Sequence, residues 1–294
     1  MTKEKADQKK GFQRILGAFI CILAAVLLLG VLCEEAVPQQ TETMAEGERT
    51  KAKKEETGQE KEVQDKETES VQEETEPAVC TDRMTFGIDV SKFQEEIDWA
   101  QVAEAGIDFV MVRVGYRKSA TGEIIEDERA RYNLQEAAAN GIALGAYFFS
   151  TAIDEQEVRE EADWVCGFLK GVPISYPVVY NCEGFEKKSS RQYGMTVDER
   201  TTLAQIFLDQ VEAAGYTGMF YAATGELRGS LCWDTKVLES QYQIWVAQYP
   251  DEIHPASARP DYDGAYAMWQ YTDQGHVQGI RTVVDLNVAY FRME

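Results

Sequence analysis

The stretch RARYNLQEAAANGIALGAYFFS, residues 129–150, holds the unit from which the fold is read. Residues 129–139 are rich in helix formers, Asn140-Gly141 interrupts them, and the apolar run IALGAYFFS follows at once. Glycine at the junction suits the left-handed conformation that closes a helix, and a nearly unbroken apolar run suits a parallel strand buried on both faces. The same unit recurs along the chain. Asp98 can cap a short helix ending at Gly106, before DFVMVRVG at 108–115. A longer helix over 154–170 ends at Gly171, before YPVVYNC at 176–182. Another over 197–214 ends at Gly215, before TGMFYAA at 217–223.

With a first strand from Met84, the order is β/α repeated through the fifth strand. Three further strand candidates, QIWVAQY at 243–249, YAMWQYT at 266–272 and TVVDLN at 282–287, have little helix between them. The expectation is an α/β fold, an eight-stranded β/α barrel whose helices are missing near the C-terminal end. An open doubly wound sheet is the rival, but no GxGxxG follows the first strand.

In such a barrel the chemistry sits at the C-terminal ends of the strands. Those ends carry Asp89, then Tyr147 and Phe148, Asn181 and Glu183, Tyr221, Gln248 and Tyr249, Gln270 and Tyr271, and finally Asp285 and Asn287. Three carboxylates and several aromatics thus converge on one mouth. Carboxylates supply acid and base for glycosidic cleavage and aromatic faces pack on sugar rings, so the composition is that of a carbohydrate site. Cys182, between Asn181 and Glu183, alternates away from them into the barrel wall.

Outside residues 84–294 the chain changes character. Residues 1–14 carry five basic side chains, and Ile15 to Cys33 runs nineteen residues without a charge. At ~1.5 Å per residue that run matches the ~30 Å hydrocarbon core of a bilayer, and the basic flank predicts a cytoplasmic N-terminus. The expectation is a single-pass anchor in the cell membrane, with everything after Cys33 on the outer side. A cleaved signal peptide or a lipid-modified Cys33 fits less well, because LLLGVLCEEAVP lacks a small-residue cleavage site and Gly30-Val31-Leu32 lacks a small residue before the cysteine. Residues 34–83 hold no aromatic and few aliphatic residues among many Glu, Lys, Thr and Gln, and are expected to form a disordered acidic stalk.

The chain's net charge is −22, most of it on residues 84–294, which argues against nucleic acid as a partner. Only His254 and His276 occur, with no HExxH, so no metal and no cofactor is expected. Cys80, Cys166, Cys182 and Cys232 have no framework spacing, and their pairing stays open, as does the oligomeric state.

FGIDVSKFQ at 86–94, IDW at 97–99, FVMVRVGYR at 109–117, GAYFFS at 145–150, YPVVYNCEGF at 176–185, WVAQY at 245–249 and WQYTDQGHVQGIRTVVDLN at 269–287 together resemble glycoside hydrolase family 25, the lysozymes or N-acetylmuramidases. The resemblance implies hydrolysis of the β-1,4 bond between N-acetylmuramic acid and N-acetylglucosamine in peptidoglycan glycan strands. It carries the family's catalytic acids onto Asp89, Glu183 and Asp285, and its substrate lining onto Tyr147, Tyr221, Trp245, Gln270 and Asn287. One position departs: Asn181 stands where the family usually has the aspartate of a DxE pair. Asparagine keeps the shape and can still hold the substrate's acetamido group, but it brings no charge. That leaves two further readings open, a catalytically silent wall-binding module and an enzyme acting on the stem peptide.

Overall fold

Each of the four glycines that close the early helices has a positive φ: Gly106 at 83°, Gly141 at 79°, Gly171 at 84° and Gly215 at 93°. A Cβ would strain that conformation, so these residues set where each helix ends and the chain turns back. The computed structural model describes residues 84–251 and 258–291. Strands β1 (Thr85–Val90), β2 (Phe109–Arg117), β4 (Ala143–Phe149), β5 (Ile174–Asn181) and β6 (Gly218–Ala223) alternate with helices α1 (Trp99–Glu104), α2 (Ala130–Ala139), α3 (Glu155–Leu169) and α4 (Val197–Ala213). A short β3 (Ile124–Glu126) folds back antiparallel on β2. The last third holds α5 (Thr224–Leu227), α6 (Thr235–Gln241), β7 (Gln243–Ala247), β8 (Met268–Gly275) and β9 (Val284–Ala289), with no helix between β7 and β9 among the described residues.

The helix starts follow from their caps. The Asp98 side chain accepts from the Gln101 amide at the head of α1, Asp154 does the same for α3, and Thr196 with Glu199 forms a capping box on α4. On α3 the buried residues Val158, Glu161, Ala162, Val165 and Leu169 follow the helical period and face the sheet. Glu161 is buried against Arg117 of β2, at 2.7 Å.

Pairing of β1 with both β2 and β9 closes the sheet into a barrel of eight strands, with β3 as an outer flap. The parallel order of the β/α units breaks at the end of the chain. The last strand spans Val284–Ala289 and runs antiparallel to both β1 and β8. Asp285 therefore lies near the start of its strand, and the reversal brings that start to the same mouth as the end of β1, in register with Asp89. The missing final crossover explains the direction, since a strand joined to its neighbour by a hairpin must reverse.

Alternate residues fill the barrel. Ile88, Val110, Val112, Phe148, Val178, Tyr180 and Cys182 pack outward beneath the helices, while Phe109, Met111, Tyr176, Val179, Met219 and Trp245 pack inward. At the floor the Phe109 and Tyr176 rings stack 4.4 Å apart. Room for them comes from two glycines: a Cβ on Gly87 would lie 2.5 Å from the Phe109 ring, and one on Gly145 would lie 2.3 Å from Met111 Sδ. Burying a ring such as Phe109 contributes about 2–3 kcal/mol. The plugged floor leaves the opposite end as the open mouth.

The predicted segments 1–14, 15–33 and 34–83 lie outside the described residues, as do Cys80 and His254. Among the described residues no helix is long and apolar enough to cross a membrane, and no His, Cys, Asp or Glu cluster could hold a metal ion. Cys166, Cys182 and Cys232 are free thiols.

Candidate active site

The inward parity that fills the barrel floor also sets the mouth. Asp89, Arg113, Tyr147, Phe149, Asn181, Glu183, Tyr221, Trp245, Tyr249, Gln270, Asp273 and Asp285 line one cavity of about 290 Å³. Of the residues expected from sequence, Asn287 stands behind this wall, fully buried, and Gln248 lies outside the lining, accepting from the Asp261 amide. Phe148 and Tyr271 are corrected: both face outward, Phe148 onto Phe207 and Trp164, Tyr271 onto Trp269. Phe149 takes the place expected of Phe148. Period two counted from Tyr147 contains that signal.

Asp89 is 5% exposed and held from two sides. Its Oδ2 accepts from Gln270 Nε2 and from Asn287 Nδ2, each at 2.8 Å. Gln270 is oriented by the phenols of Tyr221 and Tyr249, which donate to its Oε1 at 2.9 and 2.7 Å, and Asn287 by Trp245 Nε1 at 3.0 Å. Every donor in this chain points its polarity toward Asp89. Burial raises the proton affinity of Asp89 above the usual carboxylate value, and the Asn287 and Gln270 amide donors pull it part of the way back.

Asp285 shares a hydrogen bond with Asp89. Burial first, and the neighbouring Asp89 charge second, push Asp285 up to about 8. Two carboxyls in contact cannot both ionise cheaply, so near neutral pH they share one proton. It resides on Asp285, because Asp89 already accepts two amide bonds.

Glu183 follows β5 on the inward parity, at the exposed rim of the cavity. Desolvation by the surrounding wall raises its proton affinity, the Asn181 side-chain hydrogen bond lowers it, and the Asp89 charge raises it again. The rise thus stands without a carboxylate at position 181. Asn181 itself is 5% exposed and seated between Phe149 and Tyr221 in the strand register. Tyr147 and Tyr221 are both held well above the usual phenol range, chiefly by desolvation, so each presents a neutral hydroxyl.

Cys182 lies outside the site, fully buried, with its Sγ donating to Gln192 Oε1 at 3.3 Å. Burial pushes the thiol up to about 12, which leaves no thiolate for nucleophilic chemistry. Arg113 and Asp273 belong to the cavity without having been anticipated. Arg113 is locked onto Asp127 at 2.7 Å, and nothing in a hydrophobic run marks an inward arginine.

The model for glycosyl hydrolases family 25 matches residues 88–280. The uncharacterized protein YegX of Escherichia coli K12 is 30% identical over 209 residues, covering 69% of this chain and 68% of YegX. Lysozyme M1 of Streptomyces globisporus is 24% identical over 208 residues, covering 68% of this chain and 66% of that protein. Among solved structures, the modular autolysin LytC of Streptococcus pneumoniae, in complex with a synthetic peptidoglycan ligand, aligns with a TM-score of 0.57 at 26% identity. That alignment covers 70% of this chain but 46% of the LytC chain, so the present chain matches under half of that protein. With the family model spanning well over half of its length and the barrel closed as described, the chain belongs to glycosyl hydrolase family 25.

Proposed function

We propose that the chain hydrolyses the β-1,4 bond between N-acetylmuramic acid and N-acetylglucosamine in peptidoglycan, with Glu183 as the general acid. The observation that carries this reading is the pairing of two unlike acid environments across one cavity. Glu183 has a raised proton affinity at an exposed rim, and the Asp89–Asp285 pair shares a single proton below it. Environments that push carboxyls apart assign acid and counter-charge.

In this reading Glu183 protonates the leaving glycosidic oxygen. Asp89, fixed as an anion by Gln270 and Asn287, stabilises the positive charge that grows on the sugar ring. Asp285 tunes that charge through the shared proton. Asn181 holds the acetamido group, and Tyr147, Tyr221 and Trp245 form the wall against which the sugar packs. Gln270 and Asn287 act through Asp89. The lysozyme relative and the peptidoglycan-bound LytC structure support the substrate class. The same reading makes residues 15–33 a membrane anchor that holds the barrel on the wall side.

A wall-binding module without catalysis is the second reading, favoured by the neutral Asn181. Digestion of purified peptidoglycan by the full-length chain, with the new reducing ends identified, separates the two. Release of muramic reducing ends that falls by about 10²–10⁴-fold in Glu183→Gln is the expected result. Unchanged release in that variant removes Glu183 as the acid, and no release by the parent chain leaves the binding module.

A further inference from the structure

Phe93 is 67% exposed at the edge of the mouth, and the chain invests several contacts in holding it there. It sits in a single 3₁₀ turn directly after β1, closed by a capping box: the Ser91 amide donates to Gln94 Oε1 at 2.9 Å, and the Phe93 amide to Ser91 Oγ at 3.3 Å. The Lys92 amide donates to Asp127 Oδ2 at 3.2 Å, and Gln94 Nε2 donates to the Val283 carbonyl at 3.4 Å, next to the strand that carries Asp285. The ring is braced from below. Arg113, which lines the catalytic cavity, places its guanidinium 5.1 Å from the Phe93 ring and 5.4 Å from Tyr116, with Asp127 fixing its orientation. A second groove of about 430 Å³ borders Phe93, lined also by Lys92, Arg129, Arg281, Glu95, Glu96 and Glu128.

A catalytic cavity of about 290 Å³ is at the small end of the ~300–1,000 Å³ range of ligand sites, too small for a length of polymer. A glycan strand reaching Glu183 must continue over the rim. Tyr249, an exposed aromatic of the cavity lining, is already committed to Gln270 and follows β7, which β8 and β9 separate from β1. We propose that Phe93 is a stacking platform for a pyranose ring of the same glycan strand, one unit or more beyond the bond that is cut. The outer groove receives that ring, and the platform makes the enzyme select polymeric over short glycan. The occupant follows from adjacency, since Arg113 lines the catalytic cavity and packs on Phe93, which lines the outer groove, and from the shape match between an aromatic face and the apolar face of a sugar.

This inference rests on the proposed glycan substrate, and its test separates the two. Binding of long uncrosslinked glycan strands is measured with the full-length Glu183→Gln chain, with and without Phe93→Ala or Phe93→Trp, beside cleavage kinetics of the parent and the Phe93 variants on long strands and on the shortest oligosaccharide cleaved. Phe93→Ala is expected to weaken binding of long strands about tenfold and to raise their KM similarly at unchanged kcat, with little effect on the short substrate. Phe93→Trp is expected to restore both. Binding that is unaltered in Phe93→Ala, or a loss equal on long and short glycans, overturns the platform while leaving the reaction intact. Intact strand binding that depends on Phe93, without cleavage by the parent, overturns the reaction and keeps the platform. Absence of any binding to glycan overturns both.

Discussion

At the scale of single residues the site turns on charge placed around one acid. Glu183 keeps a raised proton affinity although its β5 neighbour is the neutral Asn181, because the wall desolvates it and Asp89 faces it. In Asn181→Asp the amide bond that lowers the Glu183 value is lost and a second negative charge is gained, and both changes move it upward. The protonated form of Glu183 then persists to higher pH. The basic limb of the kcat/KM profile should shift up by about one unit, with a higher rate above neutrality and little change below it. A profile that keeps its basic limb would mean that another group supplies the proton. The three acids were legible in the sequence because a carboxylate in or beside an apolar run is conspicuous, although Asp285 lies near the start of its strand and not at its end. The support of Asp89 was legible only as composition: Gln270, Asn287, Tyr221 and Trp245 were expected around the substrate, and the structure joins them into one hydrogen-bonded cradle beneath Asp89. Arg113 could not be read. An arginine within a strand otherwise marks a solvent face, and its inward parity follows only once the barrel is closed.

At the scale of elements, the helix, glycine and strand units were legible because glycine at a positive φ has no cheap substitute. Two of these glycines serve different ends, and the same change separates them. Gly141 has nothing within 4 Å of an added Cβ, so Gly141→Ala strains only the backbone and should cost about 1–2 kcal/mol. Gly145 has an ordinary backbone but would meet Met111 Sδ at 2.3 Å, so Gly145→Ala overpacks the barrel interior at about 1–3 kcal/mol. Pairing each with Met111→Ala distinguishes them in urea denaturation: the Gly145→Ala cost should fall in that background to what the Tyr176 Cβ, 2.9 Å away, still imposes, while the Gly141→Ala cost should persist unchanged. The direction of β9 was not legible. Its six residues, VDLNVA, carry no signal of strand direction, and only the short connection from β8 hints at a hairpin. That reversal is what delivers Asp285 to Asp89, so the least readable element carries one of the most readable residues.

At the scale of the molecule, the net charge of −22 opposes the approach of any anionic polymer, and the bacterial wall is a natural place to meet one. Attraction must then come from short-range contacts at the mouth, where the field of distant carboxylates acts only as a penalty. Salt removes the penalty before it weakens the contacts, since the screening length falls from ~30 Å at 0.01 M to ~8 Å at 0.15 M. On wall that retains its anionic polymers, KM should therefore fall severalfold as sodium chloride rises over that range, with kcat unchanged. On wall stripped of those polymers the effect should shrink. A KM that rises with salt on both substrates would show that Lys92, Arg129 and Arg281 outweigh Glu95, Glu96 and Glu128 in the outer groove and dominate the encounter. The balance between these outcomes measures how far a few local charges at the rim outweigh the field of the whole chain, and steady-state kinetics on matched wall preparations reads it directly.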